Sequence, residues 1–182
     1  MYKVYSYSPI TKSETAILKP WIDSKKSNLY NSYKTLHSGL DIQAHDVYGF
    51  QSGVVTHIGR DEDNYYTVTV QYSSNVSLRY GHMLNVYVKS GEILFVGSYI
   101  GISYKYVHFE YVTISKGNSQ WPVRIGSITY YKQNPEPLIS GDTVLNANDW
   151  SQIYNAKYYT DESYPLSGAM QDEFFNNRDG ED

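Results

Sequence analysis

His37 and Asp41 stand four residues apart in Leu36-His37-Ser38-Gly39-Leu40-Asp41-Ile42, with a glycine between them. Zinc accepts imidazole nitrogen and carboxylate oxygen at roughly 2.0–2.2 Å, so the two side chains can serve one ion only if they converge. A straight strand puts i and i+4 on one face but about 13 Å apart, at roughly 3.3 Å per residue. Ser38-Gly39 and the β-branched surroundings disfavour a helix. The spacing therefore predicts a sharp bend at Ser38-Gly39, where glycine takes φ > 0 without strain. By itself His-x-x-x-Asp is more often a solvated turn than a metal site. What changes its meaning lies about seventy residues on, in Tyr106-Val107-His108-Phe109-Glu110. Alternation along a strand places Tyr106, His108 and Glu110 on one face. Val107, Phe109 and Tyr111 fall on the other, which reads as a core face.

The composition limits the chemistry available. The 182 residues suit one domain with an appendage, and 41% hydrophobic content allows a proper core. There is no cysteine, so any metal must be held by His, Asp or Glu. A net charge of −4 argues against a nucleic-acid surface. The 21 tyrosines against 5 phenylalanines suit exposed β faces and interfaces, since each packs a ring and keeps a polar tip. Met1 to Pro9 lacks the apolar region of a signal peptide. No run approaches the length of a membrane span. The expectation is a chain not addressed for export by itself.

The elements that must position these residues read as strands. Residues 36–131 are expected to form a β-barrel or sandwich, with strands at Gly53–Gly59, Tyr66–Tyr72, Val76–Met83, Val86–Val88, Ile93–Val96, Tyr99–Ile102 and Lys105–Val112, separated by turns. Ile125–Tyr131 reads as one more strand. Residues 1–35 read as a short strand near Tyr2–Tyr7 followed by an irregular arm. Residues 132–182 read as a linker, Gln133-Asn134-Pro135-Glu136-Pro137-Leu138, and an extended tail. The tail is poor in aliphatics but carries Trp150, Tyr154, Tyr158, Tyr159, Tyr164, Phe174 and Phe175, which reads as a docking arm for another chain.

His37-x-x-x-Asp41, Asp41-Ile42-Gln43-Ala44, Ser52-Gly53-Val54-Val55, Tyr80-Gly81-His82-Met83, Gly91…Gly97…Ile100-Gly101 and Val107-His108-Phe109-Glu110 occur in the order found in lysostaphin-type zinc metalloendopeptidases. The resemblance spans roughly residues 35–114. It implies an all-β duplicated hybrid motif barrel that cuts peptide cross-links of bacterial peptidoglycan. It implies His37, Asp41 and His108 as zinc ligands and His82 as a group that stabilises or activates the reacting groups. The chain departs from the family where the expected base, the first histidine of the closing His-x-His, is Tyr106. The Gly/Ser-rich loop before that motif is also cut to Ile102-Ser103-Tyr104-Lys105, and the segment between Ala44 and Gly53 looks trimmed.

His₂Asp leaves one coordination position open, as catalytic rather than structural zinc requires. Tyrosine, with a reference pKa of about 10, is a poor base at neutral pH, though it can donate to a developing oxyanion. His82 is then the remaining proton-transfer group. His45 and His57 have no partner at ligand spacing. Asp61-Glu62-Asp63-Asn64 lacks the glycine and distal glutamate of a calcium loop.

A wall-directed fold without an export signal suggests delivery by a virion, as in phage tails or phage-like particles assembled in the host cytoplasm. Two readings stand. One is a tail-associated zinc endopeptidase acting on peptidoglycan, of reduced activity. The other is a catalytically degenerate structural component of a tail tip or baseplate, bound to other virion proteins through its C-terminal tail. An amidase-activating adaptor is a third and weaker reading.

Overall fold

The computed structural model describes residues 3–60 and 64–145. In chain order these form β1 (Lys3–Ser8), β2 (Ser13–Lys19), α1 (Asn28–Tyr33), β3 (Leu40–Gln43), β4 (Asp46–Tyr48), β5 (Gly53–Arg60), β6 (Tyr66–Ser73), β7 (Val76–Val86), β8 (Ile93–Leu94), β9 (Tyr99–Thr113), β10 (Pro122–Ile125), β11 (Ile128–Gln133) and α2 (Glu136–Ser140). Every strand pairing is antiparallel. The main path runs β1-β2-β3-β9-β7-β6-β5-β8, with β4 and β11 also on β9 and β10 on β11. The sheet is all-β, as expected, but curls without closing into a barrel.

β9 is the axis of the molecule. Its 15 residues pair with β3, β4, β7 and β11. It runs unbroken where the sequence suggested two strands, because Lys105 adopts φ 73° and absorbs the interruption. Core residues alternate along it: Val107 and Phe109 are fully buried and join Leu40, Ile42, Val55, Val68, Leu78 and Tyr80 in the main cluster. This is the inward face expected of a sheet folded over on itself. A smaller cluster of Val112, Val123, Ile125 and Tyr130 sits under the β10–β11 hairpin.

Three expectations change. Residues 13–19 are not an irregular arm but β2, which joins the sheet between β1 and β3. Its Ala16 and Leu18 alternate with Thr15, Ile17 and Lys19, and the polar flanks hid the pattern. The strand expected over 125–131 is the turn and second half of a hairpin, because Gly126 takes φ 63° and Ile125 pairs with Ile128. The prolines after Gln133 do not exclude structure either. Pro137 sits in the first turn of α2, where its missing N–H costs nothing. Leu138 and Ile139 from α2 are buried in the main core, and Tyr5 and Lys3 of β1 donate hydrogen bonds to Glu136. The start of the supposed docking arm therefore packs on this chain. The seven aromatic residues assigned to that arm lie outside the described residues.

Two outcomes are expected. Gly101 on β9 lies so close to β7 that a Cβ there would sit 2.1 Å from the Asn85 carbonyl oxygen. Backbone cannot yield as a side-chain tip can, so Gly101→Ala should cost about 3 kcal/mol or more, read as a lowered urea midpoint. His57, buried in β5, is the second case. Burial, aided by the Arg79 charge, lowers its imidazole to about 4. The folded state thus holds it neutral, and the unfolded chain binds the extra proton. Its stability contribution is complete above about pH 6.5 and is lost as pH falls towards 4. Between pH 7.5 and 4.5 the wild type should lose about 2–3 kcal/mol more than His57→Gln in paired denaturation curves.

Candidate metal centre

The β3–β9 register creates the site. Asp41 on β3 lies directly opposite His108 on β9. Cross-strand partners stand about 4.5–5.5 Å apart at the backbone, and here the Asp41 Oδ1 to His108 Nδ1 distance is 2.8 Å. His37 comes from the bend ahead of β3, and its backbone is clamped by two hydrogen bonds to Ile22 of 2.8 and 3.0 Å. Its Nε2 stands 3.3 Å from Asp41 Oδ1. The donor atoms of His37, Asp41 and His108 all lie within 4.8 Å of one another.

The bend falls at Ser38-Gly39 as the spacing required, but for a different reason. Gly39 does not take a positive φ. A Cβ there would meet the Phe109 carbonyl oxygen at 2.8 Å and the His108 ring at 2.9 Å. The glycine is needed so that the loop can pass over the imidazole.

The outer nitrogens of both histidines are occupied. His37 Nδ1 is 2.8 Å from the Pro20 carbonyl, which can only accept, so Nδ1 carries the proton. His108 Nε2 donates to Glu110 Oε2 at 3.0 Å. The inward nitrogens are therefore left to offer their lone pairs to a common point, as happens when a ligand histidine's other nitrogen is bonded to a carbonyl or carboxylate. His37 Nε2 is buried and makes no hydrogen bond among the described residues. A buried nitrogen without a bond is costly, and a metal ion would satisfy it. The residues present fit zinc: two imidazoles and one carboxylate, facing one another.

Without an ion, Asp41 and His108 satisfy each other. Burial opposes the His108 cation, but the bonds to Asp41 and Glu110 outweigh it and raise the imidazole to about 8. Burial likewise opposes the Asp41 carboxylate, yet the imidazoles of His37 and His108 beside it hold it well below the usual carboxylate range.

Behind the site lies a buried ionic group. Glu110 Oε1 accepts from Arg79 at 2.9 Å, and Oε2 accepts from Lys132 at 2.9 Å. Arg79 faces Glu110 across the β7–β9 ladder. The sequence placed Glu110 on the His108 face but gave no role to Arg79, Lys132 or the Pro20 carbonyl. A charged residue between Leu78 and Tyr80 in a strand was a readable sign for Arg79. Lys132 and Pro20 carried none, because their relation to the site is long-range.

His82 and Tyr106 come together beside this cluster rather than in it. Their rings stack 4.0 Å apart at an interplanar angle of 9°. His82 Nδ1 also lies 3.2 Å from the Tyr106 carbonyl oxygen. Between the pairs Gly81↔His108 and Met83↔Ser103, β7 advances two residues while β9 advances five. That bulge, with His82 at φ 61° and Lys105 at φ 73°, turns both side chains out of the ladder. Bulges beside functional sites commonly re-aim side chains in this way. Tyr65 packs on His82 and stacks on Tyr104, extending the aromatic group. His45 and Asp46 line a separate cavity of about 680 Å³, together with Glu14, Gln43 and Lys105, and none of the three ligand candidates reaches it. Of the acidic turn only Asn64 is described, and its Oδ1 accepts from Arg60 at 3.1 Å.

Residues 35–120 match the model of Peptidase family M23. The chain is similar to the complex of SpoIIIAH and SpoIIQ, at 20% identity over 74% of this chain and 98% of that one, with a TM-score of 0.53. A structure described as the SpoIIQ–SpoIIIAH pore forming complex gives 18% identity over 72% and 91%, with a TM-score of 0.52. The catalytic domain of EnpA, a prophage-encoded M23 protein from Enterococcus faecalis, gives 17% identity over 72% and 97%, with a TM-score of 0.51. No curated protein matches. The chain has the LytM-like fold of the lysostaphin-type peptidases. The matched segment contains His37, Asp41, His82, Tyr106 and His108.

A Cβ on Gly39→Ala would press on both the Phe109 carbonyl oxygen and the His108 ring, so the variant should lower the urea midpoint and push the ring away from His37. Zinc affinity, measured by competition with a chromophoric chelator, is expected to fall at least about tenfold.

Proposed function

We propose that the protein is a zinc-dependent endopeptidase acting on peptidoglycan cross-links, of reduced activity, carried on a phage tail or phage-like particle. The observation that carries the reading is the convergence of His37 Nε2, Asp41 Oδ1 and His108 Nδ1, with the first buried and without a hydrogen bond. His37, Asp41 and His108 would hold the ion. Zinc in such a site acidifies a bound water towards a pKa of about 7 and polarises the scissile carbonyl. The chain's own residues do the rest. Pro20 and Glu110 keep the ligand nitrogens aimed inwards. His82 moves the proton, and the Tyr106 hydroxyl donates a hydrogen bond to charge developing on the substrate oxygen. The virion setting draws its support from a prophage-encoded protein among the similar structures.

A second reading is a degenerate structural component of the particle. Two observations favour it: the base position holds Tyr106, and the three ligand residues are only 0%, 4% and 1% exposed for His37, Asp41 and His108. A pore forming complex also stands among the similar structures.

Turnover of purified peptidoglycan, with and without a chelator, separates the two. The first reading expects weak, chelator-sensitive release by the wild type. A general base typically contributes about 10²–10⁴-fold, so Tyr106→His should raise the rate at least about tenfold. His82→Ala should abolish what remains. If none of the three proteins cleaves while zinc is bound, the structural reading stands. A fully active wild type that is slowed by Tyr106→His would make Tyr106 an adapted catalytic group.

A further inference from the structure

Lys132 is the least expected residue near the metal centre. It lies on β11, beyond the segment that matches the peptidase family. Its side chain is fully buried. Burying an ammonium group is costly unless it is paired and hydrogen-bonded, and here it meets two partners. Its Nζ lies 2.9 Å from Glu110 Oε2 and 3.3 Å from Ser38 Oγ. Those partners belong to different ligand-bearing segments. Ser38 is the residue between His37 and the Gly39 bend, and Glu110 fixes His108 through Nε2. Each ligand segment is also held from elsewhere: Ile22 and Pro20 hold His37, and Arg79 holds Glu110. Lys132 bonds to both segments at once.

We propose that Lys132 is a positioning residue of the metal centre, bridging Ser38 and Glu110 so that the His37 and His108 nitrogens keep the spacing one ion needs. The inference rests on the reading of His37, Asp41 and His108 as a metal site. The β10–β11 hairpin thereby becomes part of the site although it supplies no ligand. Glu110 is held by Arg79 and Lys132 as an ionised acceptor for His108, so it is not available as a fourth ligand. A bare lysine charge at this depth would serve stability alone; a lysine tied to both ligand segments also fixes their separation.

The test uses the full chain and two readouts besides activity: zinc affinity by chelator competition, and the visible absorption bands of the cobalt-substituted protein. Lys132→Met keeps most of the side chain's length, ending one atom short, and removes both bonds. It should weaken zinc binding by about 10–100-fold, the usual cost of losing a partner that orients a ligand, and shift the cobalt bands. Ser38→Ala leaves the Lys132–Glu110 pair intact and removes only the bond to the bend. It should change both readouts in the same direction by less, and it keeps the test decisive if Lys132→Met does not fold. Wild-type zinc affinity and unchanged cobalt bands in folded Ser38→Ala and Lys132→Met overturn the inference alone. Failure of the wild type itself to take up stoichiometric zinc overturns the metal-centre reading and this inference with it.

Discussion

The contact between Asp41 and His108 is the constraint on which the rest of the molecule depends. It exists because β3 and β9 pair in one register, with Leu40 against Phe109 and Asp41 against His108. Side-chain direction alternates along a strand, so a slip of one residue would turn His108 into the apolar cluster and Phe109 out of it. The core and the site therefore enforce each other. Val107 and Phe109 bury one face of β9, and that burial holds His108 and Glu110 on the other.

That second face is itself covered, which makes its electrostatics consequential. Asp41 and Glu110 are buried carboxylates, and Arg79 and Lys132 are buried cations. Ions at such depth persist only with partners, and each has them here. Because the group is closed, an ion entering between His37, Asp41 and His108 meets nitrogens and oxygens already aimed. An ion held there would have to displace the proton between Asp41 and His108, which would link metal uptake to proton release.

Likeness to the solved structures extends to the fold, and the segment that matches Peptidase family M23, residues 35–120, holds the three candidate ligands His37, Asp41 and His108. Beside them, the stretch of β9 that carries Tyr106 forms a bulge against β7. In that bulge His82 stacks on Tyr106 and packs against Tyr65. Tyr65, His82, Tyr104 and Tyr106 thus form an aromatic wall beside the candidate ligands.

The sequence by itself determined the all-β class, the bend at Ser38-Gly39 and the common face of His108 and Glu110. These follow from local rules: the period of two along a strand, the glycine and its neighbours, and the order of motifs along the chain. It did not determine the continuity of β9, the strand β2, the hairpin at Gly126 or the core-facing helix α2, because polar flanks and prolines masked them locally. Only the tertiary structure decided what surrounds the ligands. Pro20 reaches His37 from 17 residues away, Arg79 reaches Glu110 from 31, and Lys132 reaches Ser38 from 94. No periodicity carries such relations, since they arise when separate strands are brought side by side and buried charges must find partners there.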